Sequence, residues 1–336
     1  MNEIQIFDGT LRDGSHAIKH QLKREVIEDY CSAIDSVGFH TVIVGHGNGL
    51  GASSLQVGLS LLSDSEMLKT ARENLHKTKL GAFLLPGFGT IEDDIIPALD
   101  YGVDLFKIGC HCTEADITRQ HIEYLKNKNK EVYGVLMMYH LADTELVVRN
   151  AKLMESYGVD GVILMDSAGA STPELVRKTI SALKDSLNIK IGFHPHNNLG
   201  LAVANAYIAV QEGASIIDGT VRGFGAGAGN LQLEAFVALM QKETLPLNIN
   251  LYQLLDVSEQ IIKPIMLEDR ALTDVSIISG MSGVFSAFKV HVRNASKRFG
   301  VDMRDIYMEL GKRRVVAGQE DMVIQVAKEL QRGVNE

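Results

Sequence analysis

The chain has 336 residues, 46% of them hydrophobic and 22% charged, with 31 Gly, 6 Pro, 3 Cys and no Trp. This is the composition of a folded globular chain; it excludes disorder and a collagen-like repeat, and no apolar run reaches the roughly 18 residues of a membrane span. Lys and Arg total 33 against 42 Asp and Glu, and the formal net charge of −9 argues against an extended nucleic-acid-binding face.

In chain order, short runs rich in Val, Ile, Leu or Phe begin near Glu3, Thr41, Lys79, Asp104, Glu131, Asp160, Ile189 and Ala214. Near-continuous apolar runs of about four to eight residues suit parallel strands buried on both faces. Amphipathic stretches alternate with them, and residues 23–37, 113–128, 144–157 and 173–187 are predicted helices. Pro173 suits the first position of the last of these. The joints Val37-Gly38-Phe39, Tyr101-Gly102-Val103, Tyr157-Gly158-Val159 and Glu212-Gly213-Ala214 repeat one signature, a left-handed glycine cap before the next strand. Eight strand–helix units within about 250 residues predict an α/β fold, a (β/α)8 TIM barrel. A doubly wound open sheet is the runner-up, because alternation alone does not show closure. From Leu251 the strands cease, and residues 251–262, 282–299, 303–310 and 321–330 are predicted helices. The expected division is a catalytic barrel over 1–265 and an all-helical C-terminal domain over 266–336.

A barrel places its chemistry at the C-terminal ends of the strands. Polar residues gather there: Asp8 to His16, His46 to Gly49, Cys110 to Cys112, Asp166 to Gly169, His194 to Asn198, and Gly225 to Asn230. His194-x-His196 is the sharpest feature, since residues i and i+2 of a strand point the same way and two imidazoles can share one metal. Asp13 is the favoured third ligand. The alternative is two satisfied polar histidines at a strand end. Arg12 is either half of a solvated Arg–Asp pair or a fixed cation that stabilises an enolate oxygen. His16 is a candidate general base. Cys110-His111-Cys112 is rejected as a zinc site, because a structural site needs four ligands at wider spacing and the only other cysteine is Cys31. The glycine run before Asn230 matches neither the P-loop nor the dinucleotide pattern. It reads as close backbone approach or a tight turn, with Asn230 beginning the next helix.

Asp8-Gly-Thr-Leu-Arg-Asp-Gly14, His194-x-His196 and Gly225-Ala-Gly-Ala-Gly-Asn230 together resemble the metal-dependent lyase and Claisen-condensing barrel superfamily. Within it the chain most resembles the 4-hydroxy-2-oxovalerate aldolase family. Leu84-Leu-Pro-Gly87, His111-Cys-Thr-Glu-Ala-Asp116, Leu153-Met-Glu-Ser-Tyr-Gly158 and Gly318-Gln-Glu-Asp-Met322 carry the likeness along nearly the whole chain. The resemblance implies a class II-type aldolase that cleaves a 4-hydroxy-2-oxo acid to pyruvate and an aldehyde, in aromatic hydrocarbon catabolism. It implies Mn2+, or Mg2+ or Co2+, on Asp13, His194 and His196. Arg12 would stabilise the pyruvate enolate, and His16 would take the proton of the 4-hydroxyl. Ser167 would face the pyruvate end, and Leu84 and Leu85 the aldehyde side. Phe285 stands where the family usually has Tyr, which implies altered aldehyde selectivity or stereochemistry. Asn197 stands where a further His often follows the ligand pair. The resemblance implies that residues 266–336 contact an acylating aldehyde dehydrogenase; the alternative is an appendix that only covers the barrel or mediates self-association as a homodimer. A Claisen-type acyltransferase using acetyl-CoA is the alternative function, and a catalytically silent binding barrel the third. The N-terminus lacks the basic and apolar segments of a secretory signal, and an odd cysteine count suits reduced thiols, so a cytoplasmic location is expected.

Overall fold

The computed structural model describes residues 4–245, 247–267, 272–316 and 318–335. Eight strands form a closed barrel in sequence order: β1 Gln5–Asp8, β2 Thr41–Ile43, β3 Lys79–Leu84, β4 Leu105–His111, β5 Glu131–Met137, β6 Gly161–Asp166, β7 Lys190–Pro195 and β8 Ile216–Gly219. All neighbours pair in parallel, and β1 meets β8 with Phe7 beside Asp218. The runner-up open sheet is thereby corrected: the hydrogen-bonded edge between β1 and β8 closes the sheet, a long-range contact that alternation cannot reveal.

The alternation of side chains sorts the strands into two apolar layers. Phe7, Ile43, Phe83, Leu105, Tyr133, Ile163 and Ile216 form the inner cluster, while their neighbours Ile6, Val42, Leu84, Phe106, Val132, Val162 and Ile217 belong to the layer beneath the helices. That layer receives the buried stripes of α1 Arg24–Ile34, α2 Asp64–Asn74, α3 Ile96–Asp100, α4 Arg119–Asn127, α5 Thr144–Ser156, α6 Pro173–Ser186, α7 Ala202–Gln211 and α8 Leu233–Lys242. Side-chain caps start several of them; Ser63 and Glu66 form a reciprocal capping box on α2, and Thr172 precedes Pro173 on α6. The four predicted glycine joints are left-handed, with φ of 108°, 80°, 95° and 108° at Gly38, Gly102, Gly158 and Gly213.

Beyond the barrel come α9 Leu251–Val257, the short α10 Lys263–Ile265, α11 Asp274–Ser282, α12 Lys289–Phe299, α13 Met303–Lys312 and α14 Asp321–Asn335. The last four elements share their own core of Val284, Phe288, Val292, Ile306, Leu310, Val323 and Val326. The predicted helix over 282–299 is two elements. Gly283 ends α11 in the left-handed region (φ 69°), and a single turn at Ser286–Phe288 precedes α12. The apolar spacing of Val284, Phe285 and Phe288 mimics a helical face but serves a loop that plugs the barrel mouth. The predicted helix over 113–128 likewise begins as a tighter turn at Ala115–Thr118 before α4. Among the described residues, no helix is long and apolar enough to cross a membrane.

Candidate active site

The loop after β1 is pinned before it does any chemistry. Buried Asp8 accepts hydrogen bonds from the Thr10 amide (2.9 Å), the Thr10 hydroxyl and the Tyr30 phenol (2.6 Å). Burial pushes the Asp8 carboxyl up to about 6 despite those bonds. The Thr10 hydroxyl also accepts from the Val221 amide at 2.8 Å, tying this loop to the one after β8. The chain then makes a tight helical turn at Asp13–Ile18 that presents Arg12, Asp13 and His16 on one side of the mouth.

Asp13, His194 and His196 are all buried, and one ligand atom from each lies within 4.8 Å of the others. His194 is on β7. His196 is one residue past the strand end, held by its amide bond to the Asp166 carbonyl (3.2 Å). The Asp13 carboxylate accepts from Arg12 Nη1 at 2.7 Å, Asn230 Nδ2 at 2.8 Å and the Ala226 amide at 3.2 Å. Burial alone would raise this carboxyl; Arg12 and then His196 outweigh it and hold the group well below its ordinary 3.8. Burial lowers His196 to about 3, so its imidazole is neutral and able to donate a lone pair. Both nitrogens of His194 and Nδ1 of His196 lack a well-formed hydrogen bond. A carboxylate and two buried imidazoles, with nitrogens that make no well-formed hydrogen bond, are a donor set that fits a divalent cation. Gly225 makes the cradle possible: a Cβ there would sit 2.0 Å from Asn230 Nδ2 and 2.6 Å from Asp13 Oδ1.

The Arg12 guanidinium lies 4.8 Å from the Phe83 ring centroid and donates to the Gly47 carbonyl at 3.2 Å, while its Nε and Nη2 are buried without partners. The His16 ring rests on Gly47, where a Cβ would be 2.4 Å from Nε2. Burial lowers its basicity, with Asp13 opposing the shift. Behind it, His20 stands edge-on to His16 at 4.9 Å and stacks on His46 at 3.7 Å. Burial takes His20 down to about 2 and His46 to about 4, so both are neutral struts. Ser15 and the Gly58 carbonyl bond their outer nitrogens.

His16 opens onto a cavity of about 990 Å3, walled also by Leu85, Met137, Gly225, Ala226 and Phe285. The structure separates the expected pocket residues. Leu85 and Phe285 face the cavity, and Phe285 packs against the inner barrel cluster from the helical unit. Leu84 does not: it is fully buried in the outer layer, against Gly89, because alternation turns it away from the axis between inward Phe83 and Leu85. The Ser167 side chain is also off the wall. Its hydroxyl accepts from the Met138 amide at 3.3 Å and its carbonyl from the Ser286 amide at 3.2 Å, a strut between β6 and the helical unit. Asn230 is no helix cap, since α8 starts at Leu233 and Asn230 instead holds Asp13.

The family described as HMGL-like matches residues 3–261, and that described as a DmpG-like communication domain matches residues 270–332. A 4-hydroxy-2-oxovalerate aldolase of Pectobacterium atrosepticum is 48% identical over 98% of this chain and 96% of its own length. The chain belongs to the 4-hydroxy-2-oxovalerate aldolase family. It is a carbon–carbon lyase by that membership. A second relative, 4-hydroxy-2-oxovalerate aldolase 2 of Salinispora arenicola, is 51% identical over 98% of this chain and 94% of its own. The carboxyl transferase domain of Rhizobium etli pyruvate carboxylase superposes with a TM-score of 0.83 over 98% of this chain and 60% of that one, at 14% identity, a likeness of fold alone.

Sequence reasoning missed the layer below these residues. Lys107 of β4 and Asp218 of β8 are fully buried and form an ion pair, and Asp218 Oδ1 lies 3.0 Å from His194 Nδ1. The signal was present: each is a charged residue at an inward position of an otherwise apolar strand.

Proposed function

We propose that the chain is a divalent-metal-dependent aldolase that cleaves a 4-hydroxy-2-oxo acid, 4-hydroxy-2-oxovalerate or a close analogue, to pyruvate and an aldehyde. Asp13, His194 and His196 would hold the ion, Mn2+ by preference and Mg2+ or Co2+ in its place. The observation that carries the reading is the convergence of this ligand set with the two unpartnered, buried Arg12 donors and with His16 at the cavity wall. When bound, the ion supplies Lewis acidity to the oxygens of the 2-oxo acid.

The chain's own residues do the rest. Arg12, fixed by Asp13 and Gly47, presents Nε–H and Nη2–H to the oxygen that becomes negative as the pyruvate enolate forms. A neutral His16 accepts the proton of the 4-hydroxyl as the C3–C4 bond breaks, releasing the aldehyde. Leu85 and Phe285 face the leaving aldehyde, and Phe285 offers it a ring with no hydroxyl. No lysine Schiff base is needed: Lys107, the one buried lysine among the described residues, is engaged by Asp218.

The test is a panel of 4-hydroxy-2-oxo acids of rising chain length with Mn2+, scored for pyruvate. Turnover that needs the metal supports the reading. Full activity in chelator-stripped protein overturns the metal mechanism. Release of free thiol from acetyl-CoA with a 2-oxo acid would favour the Claisen alternative instead. The barrel over 1–265 is the catalytic unit in this reading, and 266–336 docks an acylating aldehyde dehydrogenase or mediates dimerisation. The match of residues 270–332 to a communication domain supports the dehydrogenase. Co-purification of the two proteins tests it. Three free thiols, Cys31, Cys110 and Cys112, suit a cytoplasmic home.

A further inference from the structure

A lysine–aspartate pair at zero exposure inside a barrel is costly. Desolvating both charges costs on the order of what their attraction returns, and well-packed apolar residues of similar volume are often as stable. Lys107 and Asp218 sit in such a place, both at 0% exposure, in the axial layer with Phe7, Phe83, Leu105 and Ile216. Strand parity directs both inward: Leu105 and Ile216, two residues before them on β4 and β8, belong to that same axial cluster. Because β4 and β8 lie on opposite sides of the eight-stranded barrel, the lysine stem crosses the interior to reach the carboxylate. Parallel pairing of Gly192 with Ile216 and Phe193 with Ile217 continues one step on to set His194 beside Asp218. One Asp218 oxygen takes the Lys107 ammonium and the other lies 3.0 Å from His194 Nδ1.

We infer that Asp218 is a positioning residue for His194 and that Lys107 anchors it. The two atoms stop short of a well-formed hydrogen bond, but a carboxylate oxygen 3.0 Å away favours the proton on Nδ1 by charge and leaves Nε2 as the nitrogen free to donate a lone pair. A carboxylate behind a ligating imidazole sets its tautomer and raises its donor strength. Lys107 occupies the second oxygen, so the carboxylate cannot rotate away. The pair therefore supports the ligand set from below, without touching substrate. This rests on the metal reading above.

The test uses the full-length protein and two charge-neutral double variants, Lys107→Met with Asp218→Leu and Lys107→Met with Asp218→Asn. Each removes both charges together, so that no buried ion is left alone. Histidine 15N NMR of the chelated protein reads the His194 tautomer, and Mn2+ titration followed by EPR reads affinity. The parent is expected to carry the His194 proton on Nδ1. The leucine variant is expected to lose that preference and to bind Mn2+ about 10–100-fold more weakly. The asparagine variant keeps an acceptor oxygen and should fall between them. If the leucine variant fails to fold, the asparagine variant carries the same test against the parent. A parent proton on Nε2, or variants with parental tautomer and affinity, overturns the inference. If the parent itself binds no Mn2+, the metal reading fails and the tautomer comparison alone decides: loss of the Nδ1 preference upholds the positioning role, and an unchanged tautomer ends it.

Discussion

Arg12 concentrates the residue-scale argument. Two of its donors are buried without a partner in the folded chain, an expensive arrangement unless an anion completes it. Arg12→Ala is expected to lower kcat by about 100-fold or more, as loss of an oxyanion donor does, with Mn2+ affinity retained; a parental kcat would remove Arg12 from the chemistry. Phe285→Tyr returns a hydroxyl to the cavity wall. Aldehyde preference or product stereochemistry should move while Mn2+ binding stays, as measured by chiral analysis of the reverse condensation. Gly225→Ala would drive a methyl into Asn230 and Asp13. It is expected to cost about 1–3 kcal/mol of stability and to weaken Mn2+ binding together, read by denaturant melts and titration. The sequence made Asp13, Arg12, His16, His194 and His196 legible as candidates, because each lies in a polar cluster at a strand end. It did not tell Leu84 from Leu85, because the two are identical in type and only strand phase turns Leu84 to the outer layer and Leu85 to the cavity.

At the scale of elements, the loop after β1 is held by hydrogen bonds to a helix and to another loop. Tyr30 of α1 reaches Asp8, and Thr10 reaches Val221. Tyr30→Phe leaves a buried carboxylate short of one donor. A loss of about 1–3 kcal/mol is expected, together with a fall in kcat/KM, since the same loop carries Arg12, Asp13 and His16. A stability loss with unchanged kcat/KM would separate the anchor from the site. The helix over 282–299 was the clearest misreading at this scale. Its apolar residues recur at helical spacing, yet they serve two surfaces: Phe288 fills the helical core, and Phe285 turns to the barrel mouth. Periodicity cannot distinguish one helix from a glycine-broken segment that packs on two sides.

At the scale of the molecule, the barrel is closed at its far end by a polar network. Glu131 of β5 accepts from His40 (3.0 Å), from Lys79 of β3 and from its own strand's Tyr133, while His40 also bonds Gln5 of β1, which is bonded by Lys190 of β7. Burial raises the Glu131 carboxyl, but the hydrogen bonds from His40, Lys79 and Tyr133 win and carry it far below its ordinary 4.5. A depressed folded-state pKa contributes stability that is present above the unfolded value and is lost as pH falls through the folded one. Glu131→Gln should therefore lower Tm at neutral pH, and the gap to the parent should narrow progressively below about pH 4. An equal gap at all pH values would mean that the charge does not matter there.

The amino-acid sequence by itself determined the strand and helix alternation, the change to an all-helical C-terminus and the residue types at the mouth, since these rest on local periodicity and on glycine and proline stereochemistry. Tertiary structure decided closure of the sheet, the inward or outward face of Leu84 and Leu85, and the joining of Asn230 to Asp13. It also decided the burial of Lys107 against Asp218 beneath His194. Each of these depends on a contact between distant segments, and only the closed barrel brings them within reach.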